Sequence, residues 1–202
     1  MRPQQEVKKW DRAAGTFDRF NRGIERRYGP FKKSLFARCR GKVLLAAAGT
    51  GLDFEHFPAG LDITAIDFSP RMVERAGRRA RESGARIRVL MEDVQNLSFE
   101  DASFDTIVTS CTFCSVPDPV RGLKELRRVL KDEGRLLMFE HVRPGHFLLG
   151  LMMDLMTPVS RRFGPELNRR TADNVRIAGF EIVWEFNLYL DMVKLLEAVK
   201  GR

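Results

Sequence analysis

The chain has 202 residues, enough for one domain with a full hydrophobic core, and its three cysteines are too few for a disulfide framework. The start MRPQQEVKKW lacks an apolar core and no apolar run reaches the roughly 18 to 20 residues that span a bilayer, so we expect a cytoplasmic protein without signal peptide or membrane span. The formal net charge of +8 lies at one end, since residues 1–40 hold 12 Lys and Arg against 4 Asp and Glu, whereas residues 41–202 hold 23 against 23.

The first 40 residues form a basic arm. Between Thr16 and Arg38, apolar residues recur at steps of three and four positions, and arginines and lysines fill the opposite side. This pattern predicts a pair of amphipathic helices that is broken around Gly29-Pro30. The arm is then a lid whose charges are merely solvated, or it also lies on an anionic membrane surface.

A turn of small residues separates the first two predicted strands. Val43 to Ala46 is a short apolar run without helical period, and Gly49 to Gly51 then lets the backbone turn sharply. A second apolar run, 63–66, ends in Asp67. Because an acidic residue at this strand tip is where the ribose hydroxyls of a nucleotide find their acceptor, the unit predicts an adenosine-containing cofactor. The third glycine of the dinucleotide fingerprint is missing, since Phe54 stands in its place.

Helices and strands then alternate as far as residue 141. The sequence predicts a helix over 70–84, strands over 87–91 and 104–109, a helix from 118 to 130 and a strand over 135–139. Strands that alternate with helices of about 10 to 15 residues indicate right-handed crossovers and a parallel sheet. The sequence therefore predicts an open α/β sheet with its ligand at the carboxyl ends of the strands.

The last third of the chain departs from this alternation. Residues 144–171 form an insertion with an apolar, methionine-rich run, which predicts a helix packed over the sheet or, alternatively, a flexible wall for an apolar substrate. A capped helix over 171–179 and an antiparallel hairpin of strands 180–186 and 188–199, joined at Asn187, are expected after it. Earlier in the chain, Cys111 and Cys114 form a C-x-x-C pair at a strand end, which we interpret as packing and not as a metal or redox site.

In their order and spacing these motifs resemble the class I S-adenosylmethionine-dependent methyltransferases over residues 40–200. The resemblance rests on VLLAAAGTGLD, AIDFSPRMVERA, MEDVQNLSF, FDTIVTSCTF and ELRRVLKDEGRLLMFEH. It implies an α/β fold with a Rossmann-like seven-stranded sheet, parallel except for an antiparallel last strand, and helices on both faces. It also implies a methyltransferase domain over residues 41–202 and S-adenosyl-L-methionine (SAM) as cofactor.

The resemblance assigns residues to the cofactor. Asp67 would accept hydrogen bonds from the ribose hydroxyls, and Asp93 would accept one from the adenine amino group. The full set of expected cofactor-binding residues is Ala47, Gly49, Thr50, Gly51, Asp67, Phe68, Met72, Asp93, Val94, Ser110 and Cys111. Two positions depart from the family pattern: Leu45 replaces an acid that helps to anchor the cofactor's amino group, and Ala47 replaces the first glycine. The departures predict weaker binding, a shift of the anchor to the arm, or a non-catalytic binder.

The N-terminal segment WDRAAGTFD resembles the lead-in of bacterial phospholipid N-methyltransferases and of quinone C-methyltransferases. We therefore expect a membrane lipid amine such as phosphatidylethanolamine as methyl acceptor, reached at the inner membrane surface through residues 1–40. A quinone or another lipophilic small molecule is the alternative within the enzyme class. RNA modification belongs to a different class, and we expect no nucleic-acid partner because the sequence shows no recognised RNA module.

Three residues are candidates for the chemistry of the acceptor. His141 follows the fifth strand and is the expected base, unless it only makes a hydrogen bond within its loop. Glu140 would orient it or bind an ammonium directly, and Tyr28 would face the acceptor from the arm. A headgroup phosphate needs cations, and the candidates are Arg143, Arg161, Arg162, Arg169 and Arg170.

Overall fold

Seven strands form one mixed sheet in the computed structural model, which describes residues 3–201. In chain order the strands are β1 (Lys42–Ala46), β2 (Asp62–Asp67), β3 (Ile87–Met91), β4 (Phe104–Ser110), β5 (Leu130–His141), β6 (Phe180–Tyr189) and β7 (Val193–Lys200). Across the sheet they follow the order β3-β2-β1-β4-β5-β7-β6. The pairs up to β5 are parallel, and β7 runs antiparallel to both β5 and β6. The predicted sheet, with its reversed last strand, is confirmed.

Helices cover both faces of this sheet, as predicted. The α-helices among the described residues are α1 (Pro3–Ala13), α2 (Phe17–Phe36), α3 (Pro70–Ser83), α4 (Pro119–Val129), α5 (Phe147–Phe163) and α6 (Thr171–Ile177), and a short 3-10 helix spans Leu52–His56. In one hydrophobic cluster, residues such as Phe36 of α2 and Ala76 of α3 pack on one face of the sheet. In the other cluster, Leu123 of α4 and Val175 of α6 pack on the opposite face. No helix in residues 3–201 is both long and apolar enough to cross a membrane.

Local sequence explains where the central helices begin. Ser69 caps α3, because its hydroxyl accepts the backbone N–H of Met72, and Pro70 occupies the first helical position. Asp118 caps α4 in the same way by accepting the N–H of Arg121. Each helix therefore starts directly after a strand tip and its loop, which leaves the carboxyl edge of the sheet open.

The arm differs from its prediction. Helix α2 continues through Gly29-Pro30, and the break lies earlier, at residues 14–16 between α1 and α2. Pro30 is exposed, whereas Gly29 is buried so tightly that a side-chain carbon there would lie 3.2 Å from the ring of His56. Packing thus holds the helix together where the local sequence alone predicts a break. Residues 1 and 2 of the predicted arm and residue 202 of the predicted domain lie outside the described residues.

The hairpin at the end of the chain also turns at a different place. Asn187 lies inside β6, and the chain reverses at Leu190 and Asp191, whose φ angles are 44° and 58°. Both residues have the positive φ that a two-residue hairpin turn requires, and the N–H of Met192 donates to the carbonyl oxygen of Tyr189 across it at 2.7 Å. No residue pattern indicates this turn, because leucine rarely adopts a positive φ.

Candidate functional site

A cavity of about 1560 Å³ lies along the carboxyl edge of the sheet. It is bounded by the loop after β1, by the tips of β2, β4 and β5, by α1 and α2 from the arm, and by the β6–β7 turn. Small-molecule sites usually measure about 300 to 1,000 Å³. The cavity is therefore large enough for a cofactor and an acceptor side by side.

Nine of the eleven expected cofactor residues line this cavity: Ala47, Gly49, Asp67, Phe68, Met72, Asp93, Val94, Ser110 and Cys111. The other two support the loop from outside the cavity. Thr50 is fully buried and its hydroxyl donates to Asp18, while Gly51 has a φ of 81° and a side-chain carbon there would collide with the ring of Phe54. The expectation that Thr50 and Gly51 contact the cofactor is corrected accordingly.

Asp67 joins the tip of β2 to the loop after β1. Its Oδ2 accepts the backbone N–H of Gly49 and its Oδ1 accepts that of Ser69, both at 2.9 Å. Burial raises the pKa of Asp67, and the two N–H groups offset part of that effect. The carboxylate is thus fixed at the cavity wall, as an acceptor for the vicinal hydroxyls of a ribose must be.

Two aspartates of the arm attach it to the body. Asp11 Oδ1 accepts the hydroxyl of Ser69 at 2.6 Å, and so adds a second carboxylate at the start of α3. Asp18 binds the guanidinium of Arg79 at 2.9 Å and that of Arg75 at 3.4 Å. Sequence reasoning missed this role, although the two aspartates of WDRAAGTFD, seven residues apart, were its signal.

A buried lysine lies where α2 borders the cavity. Lys32 is 3% exposed, and its Nζ lies 2.7 Å from Glu25 Oε1 and 2.8 Å from Asp53 Oδ1. Burial lowers the pKa of Lys32, but the two carboxylates outweigh burial and raise the pKa above its ordinary value, so the ammonium is charged at neutral pH. All three residues line the cavity, whereas Leu45 is fully buried in the core and does not. One cation between two carboxylates is complementary to an amino-acid group, which carries both signs.

His141 and Tyr28 both line the cavity, as expected. His141 is the last residue of β5 and is half-buried, and burial lowers its pKa, so the imidazole is neutral near pH 7. The ring of Tyr28 lies 5.6 Å from that of Phe139, the residue two positions before His141. A neutral base therefore sits beside an aromatic wall.

Glu140 is placed differently from its prediction. Its carboxylate is fully buried and accepts the hydroxyl of Thr109 at 2.7 Å and the backbone N–H groups of Thr112 and Phe113 at 3.2 Å each. Burial raises the pKa of Glu140 to about 7. Because neighbouring residues of a strand point to opposite sides, Glu140 holds the loop after β4 while His141 reaches the cavity. The expectation that Glu140 orients His141 or binds an ammonium is wrong.

The five arginines expected at a phosphate are dispersed. Among the described residues, Arg162 is the one of the five that lines the cavity. Three others are bound by carboxylates of their neighbours: Arg143 by Asp154 at 2.8 Å, and Arg161 and Arg169 by Glu166 at 3.2 and 2.9 Å. Arg170 is exposed before α6. The five arginines therefore do not form the predicted phosphate cluster in the described part of the chain, and Arg162 is the one of them that lines the cavity.

The lining fits SAM. Asp67 offers acceptors for a ribose, Phe68 and Met72 offer an apolar surface for a purine, and the Lys32 cluster matches an amino-acid end. The indole N–H of Trp10, another lining residue, is buried and has no acceptor among residues 3–201. An unpaired buried donor beside a cavity is satisfied most simply by a polar ligand.

Comparisons with known proteins support a class I methyltransferase. A sequence profile described as methyltransferase domain matches residues 44–138. The ubiquinone/menaquinone biosynthesis C-methyltransferase UbiE of Citrifermentans bemidjiense is 34% identical over 142 residues, 65% of this chain and 60% of that protein. The phosphatidylethanolamine N-methyltransferase of Cereibacter sphaeroides is 34% identical over 103 residues, 50% of this chain and 51% of that protein.

The fold comparison agrees with the sequence comparison. A SAM-dependent methyltransferase of Thermotoga maritima superposes with a TM-score of 0.73 at 23% identity, over 96% of this chain and 99% of the other. The sequence profile, these relatives and the shared fold together support a class I SAM-dependent methyltransferase with SAM as its cofactor. The chain spans about 60% and 51% of the two relatives' lengths, respectively.

Proposed function

We propose that the chain transfers a methyl group from SAM to a lipophilic ring acceptor, a demethylated quinone in its reduced form. The observation that carries this proposal is the acceptor part of the cavity, where a neutral His141 lies among apolar side chains such as Phe139, Met192 and Val193. The similarity to a quinone C-methyltransferase supports the same acceptor class.

In this proposal, bound SAM supplies an electrophilic methyl group on a sulfonium. Asp67 would hold the ribose, and Lys32 with Asp53 would hold the amino-acid end. The arm, which Asp11 and Asp18 attach to α3, covers the cofactor and excludes water. Alignment of this kind contributes about 7 to 11 kcal/mol to a displacement reaction.

His141 acts on the acceptor. Its neutral imidazole accepts the proton of a ring hydroxyl, which raises the electron density at the adjacent ring carbon. After methylation that carbon loses its own proton to solvent, and the imidazolium returns its proton to the ring oxygen. Because burial lowers the pKa of His141, the base stays unprotonated below the ordinary histidine pKa of 6.5. Tyr28, which packs on the buried ring of Phe139, provides an aromatic surface against which a flat ring can stack.

A lipid amine such as phosphatidylethanolamine, methylated at the membrane surface, is the second candidate acceptor. The relative from Cereibacter sphaeroides and the basic arm favour it. Of the five arginines expected at its phosphate, all within residues 3–201, Arg162 alone lines the cavity, but Lys9, Arg12 and Arg121 line it as well and could meet a phosphate.

Methyl-labelled SAM, supplied with a demethylated quinol and with phosphatidylethanolamine in separate detergent micelles, tests the proposal. We expect label in the quinol, and His141→Asn should lower kcat about 100-fold while the affinity for S-adenosylhomocysteine stays unchanged. Label in the phosphatidylethanolamine alone would establish the second candidate. Label in neither acceptor, from a protein that binds S-adenosylhomocysteine, would overturn both.

A further inference from the structure

Helix α5 turns its apolar side outward. Seven large apolar side chains are between 43% and 74% exposed: Phe147, Leu148, Leu151, Met152, Leu155, Met156 and Val159. Their spacing of one, three and four positions places them along one side of the helix. We call this set the α5 stripe. A surface helix normally packs such a stripe against the core, so α5 is inverted.

Polar contacts hold α5 in this orientation. On its inner side, Asp154 binds the guanidinium of Arg143 at 2.8 Å and the amide of Asn168 at 3.1 Å. Gly150 packs so closely on Arg143 that a side-chain carbon there would lie 2.7 Å from the guanidinium. Met153 and Thr157 are buried on this inner side, and the stripe is left facing outward.

The outer surface of α2 complements this stripe. Phe20 is 73% exposed and Ile24 is 40% exposed, whereas the acids of the helix, Asp18 and Glu25, turn inward to ion pairs. The exposed cations of α2 are Arg19, Arg22, Arg26, Arg27 and Lys33. Outwardly, α2 thus presents apolar and basic side chains and no carboxylate.

The two helices border the same cavity. Phe20 and Ile24 of α2 line it, and so does Arg162 at the end of α5. Both helices also reach the β6–β7 turn: the N–H of Gly145, just before α5, donates to Asp191 at 2.8 Å, and the guanidinium of Arg27 lies 4.4 Å from the ring centre of Tyr189. The stripe, the basic side of α2 and the cavity therefore adjoin one another.

We propose that the α5 stripe inserts into the interface of an anionic lipid bilayer while the cations of α2 contact its headgroups. The apolar stripe is suited to contact the acyl chains, and the neighbouring cations are suited to contact the phosphates of the headgroups. A second copy of this chain fits less well, because pairing two such surfaces would bring the arginines of both copies together. The inference deepens the proposed function and rests on it in one respect: a membrane-dissolved acceptor then enters the cavity from the bilayer.

Vesicle binding tests this inference apart from catalysis. The full chain is mixed with phosphatidylcholine vesicles that contain or lack phosphatidylglycerol, and the bound fraction is measured by flotation. We expect binding to the anionic vesicles, weakened about tenfold or more by Leu155→Glu and also weakened by high salt. The matched control is Ile177→Glu on α6, since Ile177 is 65% exposed but lies outside the stripe. It should bind as the unaltered chain does.

Any of three results would overturn the inference. The first is no binding to anionic vesicles by a chain that binds S-adenosylhomocysteine, and the second is equal vesicle binding by the Leu155→Glu variant. The third is a dimer in solution that Leu155→Glu dissociates, when neither the unaltered chain nor the variant binds vesicles. Affinity for S-adenosylhomocysteine shows that each variant is folded. Vesicle binding without methyl transfer to any acceptor in micelles would refute the proposed function and leave the membrane surface standing.

Discussion

The two parts of the cavity are built in different ways. The cofactor part consists of strand tips and the loops that follow them, with Asp67 and Gly49 joined directly by a hydrogen bond. The acceptor part collects side chains from the arm, from the end of α5 and from the β6–β7 turn, which are distant in sequence. The parallel sheet fixes the first part, whereas packing of helices on that sheet fixes the second. Lys32 belongs to both, since it lies on α2 and pairs with Asp53 after the glycine loop.

Replacing Lys32 tests this connection and should have the largest effect. Lys32→Met leaves the carboxylates of Asp53 and Glu25 buried without their cation, so we expect the free energy of unfolding to fall by about 3 to 5 kcal/mol. Lys33→Met, at the exposed neighbouring position, should change it by less than about 0.5 kcal/mol. Denaturant titration measures both variants.

Ligand binding separates the structural role of Lys32 from its proposed role at the amino-acid end. In conditions where Lys32→Met remains folded, it should bind S-adenosylhomocysteine about tenfold more weakly and bind 5′-methylthioadenosine, which lacks the amino-acid group, as before. Equal losses for both ligands would show that the buried lysine only supports the fold.

Replacing Asp67 tests the cofactor part alone. Asp67→Ala removes the proposed acceptor of two ribose hydroxyls, and the affinity for S-adenosylhomocysteine should fall about 100-fold, equivalent to about 3 kcal/mol. Asp62→Ala is the control, because Asp62 is exposed at the other end of the same strand. Calorimetry gives both affinities. An unchanged affinity for Asp67→Ala would contradict the whole assignment of this part of the cavity.

The difference between the two parts also explains what the sequence predicts. The sequence places Asp67 and Cys111 at the cavity because Asp67 ends its strand and Cys111 follows its strand directly, and the carboxyl ends of parallel strands lie at the same edge of the sheet. Lys32, Glu25 and Asp53 were missed, since their contacts depend on how α2 packs on the 3-10 helix. No local pattern encodes that packing.

The same reasoning covers the remaining errors. Periodicity shows that α5 has an apolar side, but it does not show which side faces the body, where Met153 and Thr157 are buried. Likewise, the sequence places Glu140 and His141 together at a strand tip, but the direction of each side chain follows from the register of β5 with β4.

Glu140 gives a pH-dependent test of that direction. Its pKa of about 7 in the folded chain lies above the ordinary value of 4.5, so the folded state retains a proton that the unfolded state releases. The free energy of unfolding should therefore fall as pH rises from about 4.5 to about 7, by up to about 3 kcal/mol, relative to Glu140→Gln. Denaturant titration at pH 5 and pH 8 measures the effect. An equal pH dependence in both proteins would place the Glu140 carboxylate in water.

The smallest effect is expected at Ala47, where the cofactor part departs from its family pattern. Ala47 has a φ of 54°, a conformation that costs a residue with a side chain about 1 to 2 kcal/mol. Ala47→Gly relieves this strain, but the greater backbone entropy of glycine in the unfolded chain lowers the free energy of unfolding by about 0.5 to 1 kcal/mol. Because the relieved strain is the larger of the two effects, the free energy of unfolding should rise by up to about 1 kcal/mol. Ala48→Gly, at a neighbouring position without positive φ, has the entropic loss and also loses a buried methyl group, so the free energy of unfolding should fall by about 1 to 2 kcal/mol. If denaturant titration shows both variants equally destabilised, the loop after β1 holds no strain. The cofactor part would then tolerate the missing glycine without cost.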